Sequence, residues 1–223
     1  MENPKSKSKI DWKSKLLDLL IVIIGITIAF QLNEWSESRK TTNEELDYLT
    51  SFYEENISNQ NNLKEALNFS KNTKNDIDTL KNLLLTGNYK DNRINQLISK
   101  MMIMADFSPS ITTMENIKAS GEFDLIKNID LRRDLISTYN SYTTTDKLED
   151  MLKEYVNEYV TPFFMHNVRF SSLGISDPNI ISDPKLENIV LGYEALLAQQ
   201  IGGYERTLNK LTPLLDRLSK QKK

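Results

Sequence analysis

Residues 16 to 32, LLDLLIVIIGITIAFQL, limit the chain more than any other stretch, because twelve of these seventeen side chains are Leu, Ile, Val or Phe. At −0.3 to −0.6 kcal/mol each near a helix centre, those twelve favour transfer into lipid by about 4 to 7 kcal/mol. Asp18 opposes it, but it lies within a turn of the lysine-rich end, where a carboxylate reaches headgroups cheaply. A run like this must be covered by protein, cleaved away or held in a membrane. Seventeen helical residues span only about 26 Å of a hydrocarbon core about 30 Å thick, so length alone leaves a buried core helix open. The flanks favour an anchor: Trp12 and Trp35, the chain's two tryptophans, are 23 residues apart, about 34 Å along a helix, which suits interfacial belts at both faces. A cleavable signal needs small residues just past the apolar run. Here the chain continues Phe30-Gln31-Leu32-Asn33-Glu34-Trp35.

Charge sets the expected orientation. Residues 1–15 carry five lysines against two acids, net +3, whereas residues 33–223 carry net −5. The positive-inside rule therefore predicts a basic cytoplasmic tail (1–15), a transmembrane helix (16–35) and an extracytoplasmic helical domain (36–223). In a two-membrane cell this is the inner (cytoplasmic) membrane, with the C-terminal domain in the periplasm. Gly25 and Ala29 form a small-xxx-small pair, a candidate face for packing two such helices.

Past the span, few Gly and Pro and 26% charged residues argue for long helices rather than disorder or a turn-dense β fold. Leu46, Leu49, Tyr53, Leu63 and Leu67 keep a helical period, interrupted by Asn56 and Gln60. Further helices are expected over about 72–85 and 92–104. A short one should open on a capping box, Thr112 to Glu115, and close at Gly121. Asn128 or Asp130 should cap a long helix carrying Tyr139, Tyr142, Tyr155 and Tyr159 until Pro162 ends or kinks it. After the loop SSLGISDPNIISDP, Asp183 and Pro184 open a last helix toward Leu218, with bends expected at Gly202-Gly203 and Pro213. The fold class is all-α: one N-terminal transmembrane helix, then a bundle of long antiparallel helices.

Reactive chemistry has little to work with. There is no cysteine and a single histidine, His166, so thiolate sites and two-histidine metal sites are excluded. His166 is expected to pack or cap near its helix end. No phosphate loop, nucleophile elbow or spaced carboxylate pair is visible, and no cofactor is expected. A mildly acidic body without a basic stripe makes nucleic acid a poor partner. The tyrosine ladder reads as core and rim, with its hydroxyls reaching water. DFSPS before the short helix offers backbone N–H groups that an anion can use.

Two stretches carry a resemblance. LLDLLIVIIGITIAFQLNEWSESRK, with Asp18 before the apolar run and Gln31, Asn33 and Trp35 after it, is similar to the opening signature of membrane-anchored proteins from Bacteroidota-type bacteria catalogued as domain of unknown function 6090. TMENIKASGEFDLIKN resembles that family's second hallmark. The resemblance implies one anchor and an extracytoplasmic helical domain. It implies no activity, cofactor or catalytic residue.

The expectation is therefore a protein that binds rather than catalyses, its partners being the lipid bilayer and a protein or a second copy of itself. A scaffold or accessory subunit of an envelope complex is the leading expectation. The alternative is a sensor domain that holds a small envelope ligand between its helices. A deep apolar pocket with convergent polar groups near Tyr139 to Tyr159 would favour the sensor. A solid core with an exposed apolar face would favour the scaffold.

Overall fold

The computed structural model describes residues 12–169, 174–175 and 177–221. It is all-α, 86% helical with 2% strand. In order come α1 (Trp12–Leu85), α2 (Ile94–Ser99) with a 3-10 turn Lys100–Met102, α3 (Thr112–Ser120), a 3-10 turn Phe123–Leu125, α4 (Ile129–Tyr155), a π-helical turn Val156–Val160, and α5 (Thr161–Asn167). A two-residue antiparallel pair, β1 (Val168–Arg169) and β2 (Gly174–Ile175), and a 3-10 turn Pro178–Ser182 lead to α6 (Pro184–Gln221). The chain divides into two units, one ending at Asp47 and one from Tyr48 onward.

In the first unit the apolar side chains of the span in α1 are open, from Leu20 at 48% to Ile26 at 65% exposure. A core helix would have covered them. This is the one helix among the described residues long and apolar enough to cross a membrane. Within it Thr27 returns its hydroxyl to the Ile23 carbonyl at 2.8 Å, which hides a polar group that lipid cannot solvate.

In the second unit α1 continues to Leu85 without the break expected near residue 70, because Ser70 and Thr73 sit on its buried face and keep the helical period between Leu67 and Ile77. Phe52, Leu63, Ile77 and Leu80 are fully buried, each contributing roughly 1.5–3 kcal/mol. α6 runs antiparallel to both α1 and α4. Gln60 meets Thr212 and Lys71 meets Glu205 along one side; Asp134 meets Arg217 and Thr145 meets Thr207 along the other.

The α4–α6 seam is close because its residues are small. The Thr145 and Thr207 hydroxyls are 3.0 Å apart, and a Cβ on Gly203 would lie 2.5 Å from Leu148 Cδ1. Small side chains let two backbones approach where larger ones would hold them near the usual 8–10 Å. The expected bends at Gly202-Gly203 and Pro213 do not interrupt α6, which stays helical to Gln221.

Helix ends follow the expected chemistry at most places. Asn128 Oδ1 accepts the Leu131 N–H at 3.0 Å, Asp183 Oδ1 accepts the Lys185 N–H at 2.8 Å, and Gly121 takes the left-handed φ of 75° that closes α3. The expected capping box is not formed. Thr112 already lies inside α3, and the N-terminal donors are satisfied from α1 instead: Glu55 Oε2 accepts the Thr113 N–H at 2.9 Å and its hydroxyl at 3.1 Å.

Pro162 neither ends nor simply kinks the long helix. Proline has no N–H to give the carbonyl of Glu158, and its ring would press on that carbonyl in a regular α turn. The chain widens to a π turn in which the Thr161 N–H bonds to the Val156 carbonyl, five residues back, and helix then resumes to Asn167.

Candidate functional site

Two buried polar clusters tie α4 to its neighbours. In the first, Tyr142 donates to Asn56 Oδ1 at 2.6 Å, Asn56 Nδ2 donates to the Tyr139 hydroxyl at 3.1 Å, and Tyr139 donates to Glu55. Burial, then the hydrogen bond to Glu55, push the Tyr139 phenol far above its ordinary value. Asn59 grips Ser110 at both its N–H and its carbonyl, at 2.9 and 2.8 Å. In the second cluster Gln200 donates to the Tyr204 hydroxyl at 2.9 Å, and Tyr204 donates to Glu149, which also accepts the Phe107 N–H at 3.0 Å. Burial raises the Glu149 carboxyl to about 7, against the hydrogen bonds from Tyr204 and Phe107. Most of these groups are spent on one another; Gln200 Oε1 is buried and makes no hydrogen bond among the described residues. They fix the DFSPS segment: the Phe107 N–H goes to Glu149, the Ser110 N–H to Asn59 and the Ser110 hydroxyl to Glu55, rather than to an external anion.

The tyrosine ladder accordingly divides. Tyr139 and Tyr142 are core, with their hydroxyls bonded inside rather than reaching water, while Tyr155 is half-buried and Tyr159 is exposed. Below them opens a cleft of about 940 Å³. It lies at one end of the bundle, sixteen residues or about 24 Å along α4 from Tyr139. One wall is the face of α4, the π turn and α5 that carries Tyr155, Glu158, Tyr159, Pro162, Phe163, His166 and Asn167. The other is the first two turns of α6, where Lys185, Asn188 and Ile189 share a face at i, i+3 and i+4.

The π turn shapes the first wall. It keeps Tyr155 and Tyr159 together, ring centroids 4.9 Å apart and planes tilted by 38°. The Tyr155 hydroxyl crosses to α6 and donates to the Ile189 carbonyl at 3.1 Å. Gly192 makes that crossing possible, since a Cβ there would stand 2.2 Å from the Tyr155 oxygen. His166 Nδ1 lies 2.7 Å from the Pro162 carbonyl, which only accepts, so Nδ1 carries the proton and Nε2 is left for the cleft. Asn167 spends its amide N–H on the Phe163 carbonyl at 2.9 Å. Among the described residues, the Lys185 ammonium and the Asn188 side-chain amide have no partner.

The residues singled out in the sequence lie elsewhere. Trp12 and Trp35 are exposed, at 77% and 62%, on the first unit's part of α1, with the Arg39 guanidinium 5.4 Å from the Trp35 ring centre. Gly25 and Ala29 share an exposed face one turn apart, with nothing within 4 Å of a Cβ built on Gly25. The cleft was missed because its second wall comes from residues thirty positions after the first. One signal was available: Gly192, in the interior of a helix where Gly costs about 1 kcal/mol relative to Ala, marks a close approach. No group of three or more acids and histidines with metal-holding geometry occurs among the described residues.

The model of a family of unknown function, DUF6090, matches residues 18–164. The chain belongs to that family. The match takes in the apolar span, both polar clusters' α1 and α4 residues, and the Tyr155 to Phe163 part of the cleft wall; the α6 wall lies beyond it. No curated protein and no solved structure matches the chain.

Proposed function

We propose that this DUF6090 protein is a membrane-anchored sensor-type binding domain, held by α1 in the cytoplasmic membrane with its N-terminus inside and residues 36–223 in the periplasm, and that its ligand site is the cleft between α5 and α6. The cleft carries this reading. Its volume falls within the roughly 300–1,000 Å³ usual for small-molecule sites, its floor is aromatic and aliphatic, and a few unspent polar groups converge on it. A π turn at the wall fits the same reading, since such turns recur at functional sites. The polar clusters, by contrast, are buried and bonded largely to one another, and binding without catalysis is the simpler assignment.

A protein-binding scaffold is the second reading. Ile129 and Ile136, seven residues apart on α4, expose 62% and 44% of their surface on one helix face, as a partner-binding helix would.

The test is a fragment screen on the full chain in lipid nanodiscs, read by isoleucine δ1-methyl resonances. Hits that move Ile189 support the cleft; hits that move Ile129 and Ile136 alone, together with a stoichiometric protein captured from solubilised membranes, support the scaffold and overturn the sensor. Alkaline phosphatase fused after Lys223 is expected to be active, and release of the chain by carbonate washing defeats the anchor.

A further inference from the structure

We infer that the cleft takes a small carboxylate with an aromatic or branched apolar body, the carboxylate seated against Lys185 and Asn188 and the body against the Tyr155–Tyr159 pair. The inference rests on the sensor reading above and adds the ligand's chemical class.

Charge complementarity decides the class. The α6 wall offers an ammonium and, three residues on, an amide, neither with a partner among the described residues; both donate, and they lie on the same helix face. The one acid among the lining residues, Glu158, stands on the opposite wall beside Tyr159. A carboxylate seated at the α6 wall meets two donors that no described residue uses. The hydrophobic part is equally committed. Tyr155 has its hydroxyl tied to α6 and so presents ring rather than oxygen, and Phe163 and Ile189 are buried behind it. Tilted aromatic rings 4.9 Å apart leave an edge and a face for a third ring.

Three probes share one hydrocarbon body and differ in charge: 3-phenylpropionate, 3-phenylpropionamide and 3-phenylpropylamine. Each is titrated by calorimetry into the full chain in nanodiscs of zwitterionic lipid, with the Ile189 δ1-methyl resonance as the reporter of place. The carboxylate is expected to bind about five-fold or more tighter than the amide, a preference sized for an exposed charge-assisted contact, and to move Ile189. Lys185→Met keeps the stem, and it is expected to erase the preference while leaving the amide's affinity unchanged. Equal binding of carboxylate and amide, tightest binding of the amine, or a preference that survives Lys185→Met overturns the carboxylate assignment and leaves the cleft standing as a site. If none of the three moves Ile189 while other fragments do, the assignment fails alone; if nothing in the fragment screen moves Ile189, the sensor reading fails with it.

Discussion

Glu55 caps a helix that is not its own: from α1 it takes the Thr113 N–H at the start of α3 on Oε2, while Oε1 takes the Tyr139 hydroxyl of α4. One carboxylate thus satisfies donors on two other helices. Removing it with Glu55→Ala orphans a helix-end N–H and a buried phenol together, for an expected loss of about 2–4 kcal/mol. Glu55→Gln keeps an acceptor and is expected to lose less than half of that. Denaturant midpoints of the full chain in nanodiscs give the totals, and amide exchange across 112–120 shows whether α3 frays first. An alanine variant within about 0.5 kcal/mol of the parent would mean that water replaces the carboxylate at both places.

How much of this was legible in the sequence depends on range. Local chemistry read correctly: Asn128, Asp183 with Pro184, and Gly121 act within four residues of themselves, and each does what its type and position imply. The apolar run read correctly as the one helix of that character among the described residues, because hydropathy is a sum over neighbours. Non-local satisfaction did not read. Asn56 looked like an interruption of the hydrophobic period, yet it is fully buried and bonded to Tyr139 and Tyr142, more than eighty residues away. Thr112 to Glu115 matched a capping box, but the Thr113 donors had a stronger partner in Glu55, which no short pattern contains. The cleft belongs to the same class. Its walls are separated by a loop, and only Pro162 and Gly192 hinted at how they meet.

Glu149 makes the stability depend on pH. Burial raises its carboxyl from the ordinary 4.5 to about 7 in the folded chain. Between those values the folded form keeps a proton that the unfolded form has released, so raising the pH across that window favours unfolding. Stability contributed by this group is therefore fully present below about pH 4.5 and lost by about pH 7. Glu149→Gln retains the acceptor for Phe107 and Tyr204 without titrating. Its urea midpoint, compared with the parent's at about pH 5 and about pH 7.5, is expected to gain on the parent as pH rises. Parallel midpoints at both values would show that the carboxyl is solvated enough to titrate normally.

Tyr193 is fully buried, and its hydroxyl has no hydrogen-bond partner among the described residues. Burial alone pushes the phenol well above its ordinary value. Dehydrating a hydroxyl without a compensating bond costs about 1–3 kcal/mol, so Tyr193→Phe, which keeps the ring and deletes the oxygen, is expected to stabilise the domain by about 1 kcal/mol. Thermal unfolding of the two chains side by side measures it. A lower midpoint for the phenylalanine variant would reveal a partner for the oxygen.

Gly192 and Tyr155 tie stability to the site. Alanine at 192 gains about 1 kcal/mol of helix propensity over glycine, but its Cβ would stand 2.2 Å from the Tyr155 oxygen and 2.6 Å from the ring carbon that bears it. The ring, being the far end of a side chain, is the part that moves. It leaves the Ile189 carbonyl, to which it donates at 3.1 Å, and turns into the cleft. Propensity gained and hydrogen bond lost nearly cancel, so Gly192→Ala is expected to change stability by less than about 1 kcal/mol while weakening 3-phenylpropionate binding roughly five-fold or more through lost space. Tyr155→Phe separates the two effects: it gives up the hydroxyl bond but leaves the ring free to stay against α6, and it is expected to lose about 1 kcal/mol of stability with little change in probe affinity. Calorimetry on both variants, with the Ile189 methyl resonance as the local reporter, decides it. If Gly192→Ala binds the probe as tightly as the parent, Tyr155 does not form the wall that the ligand reading requires.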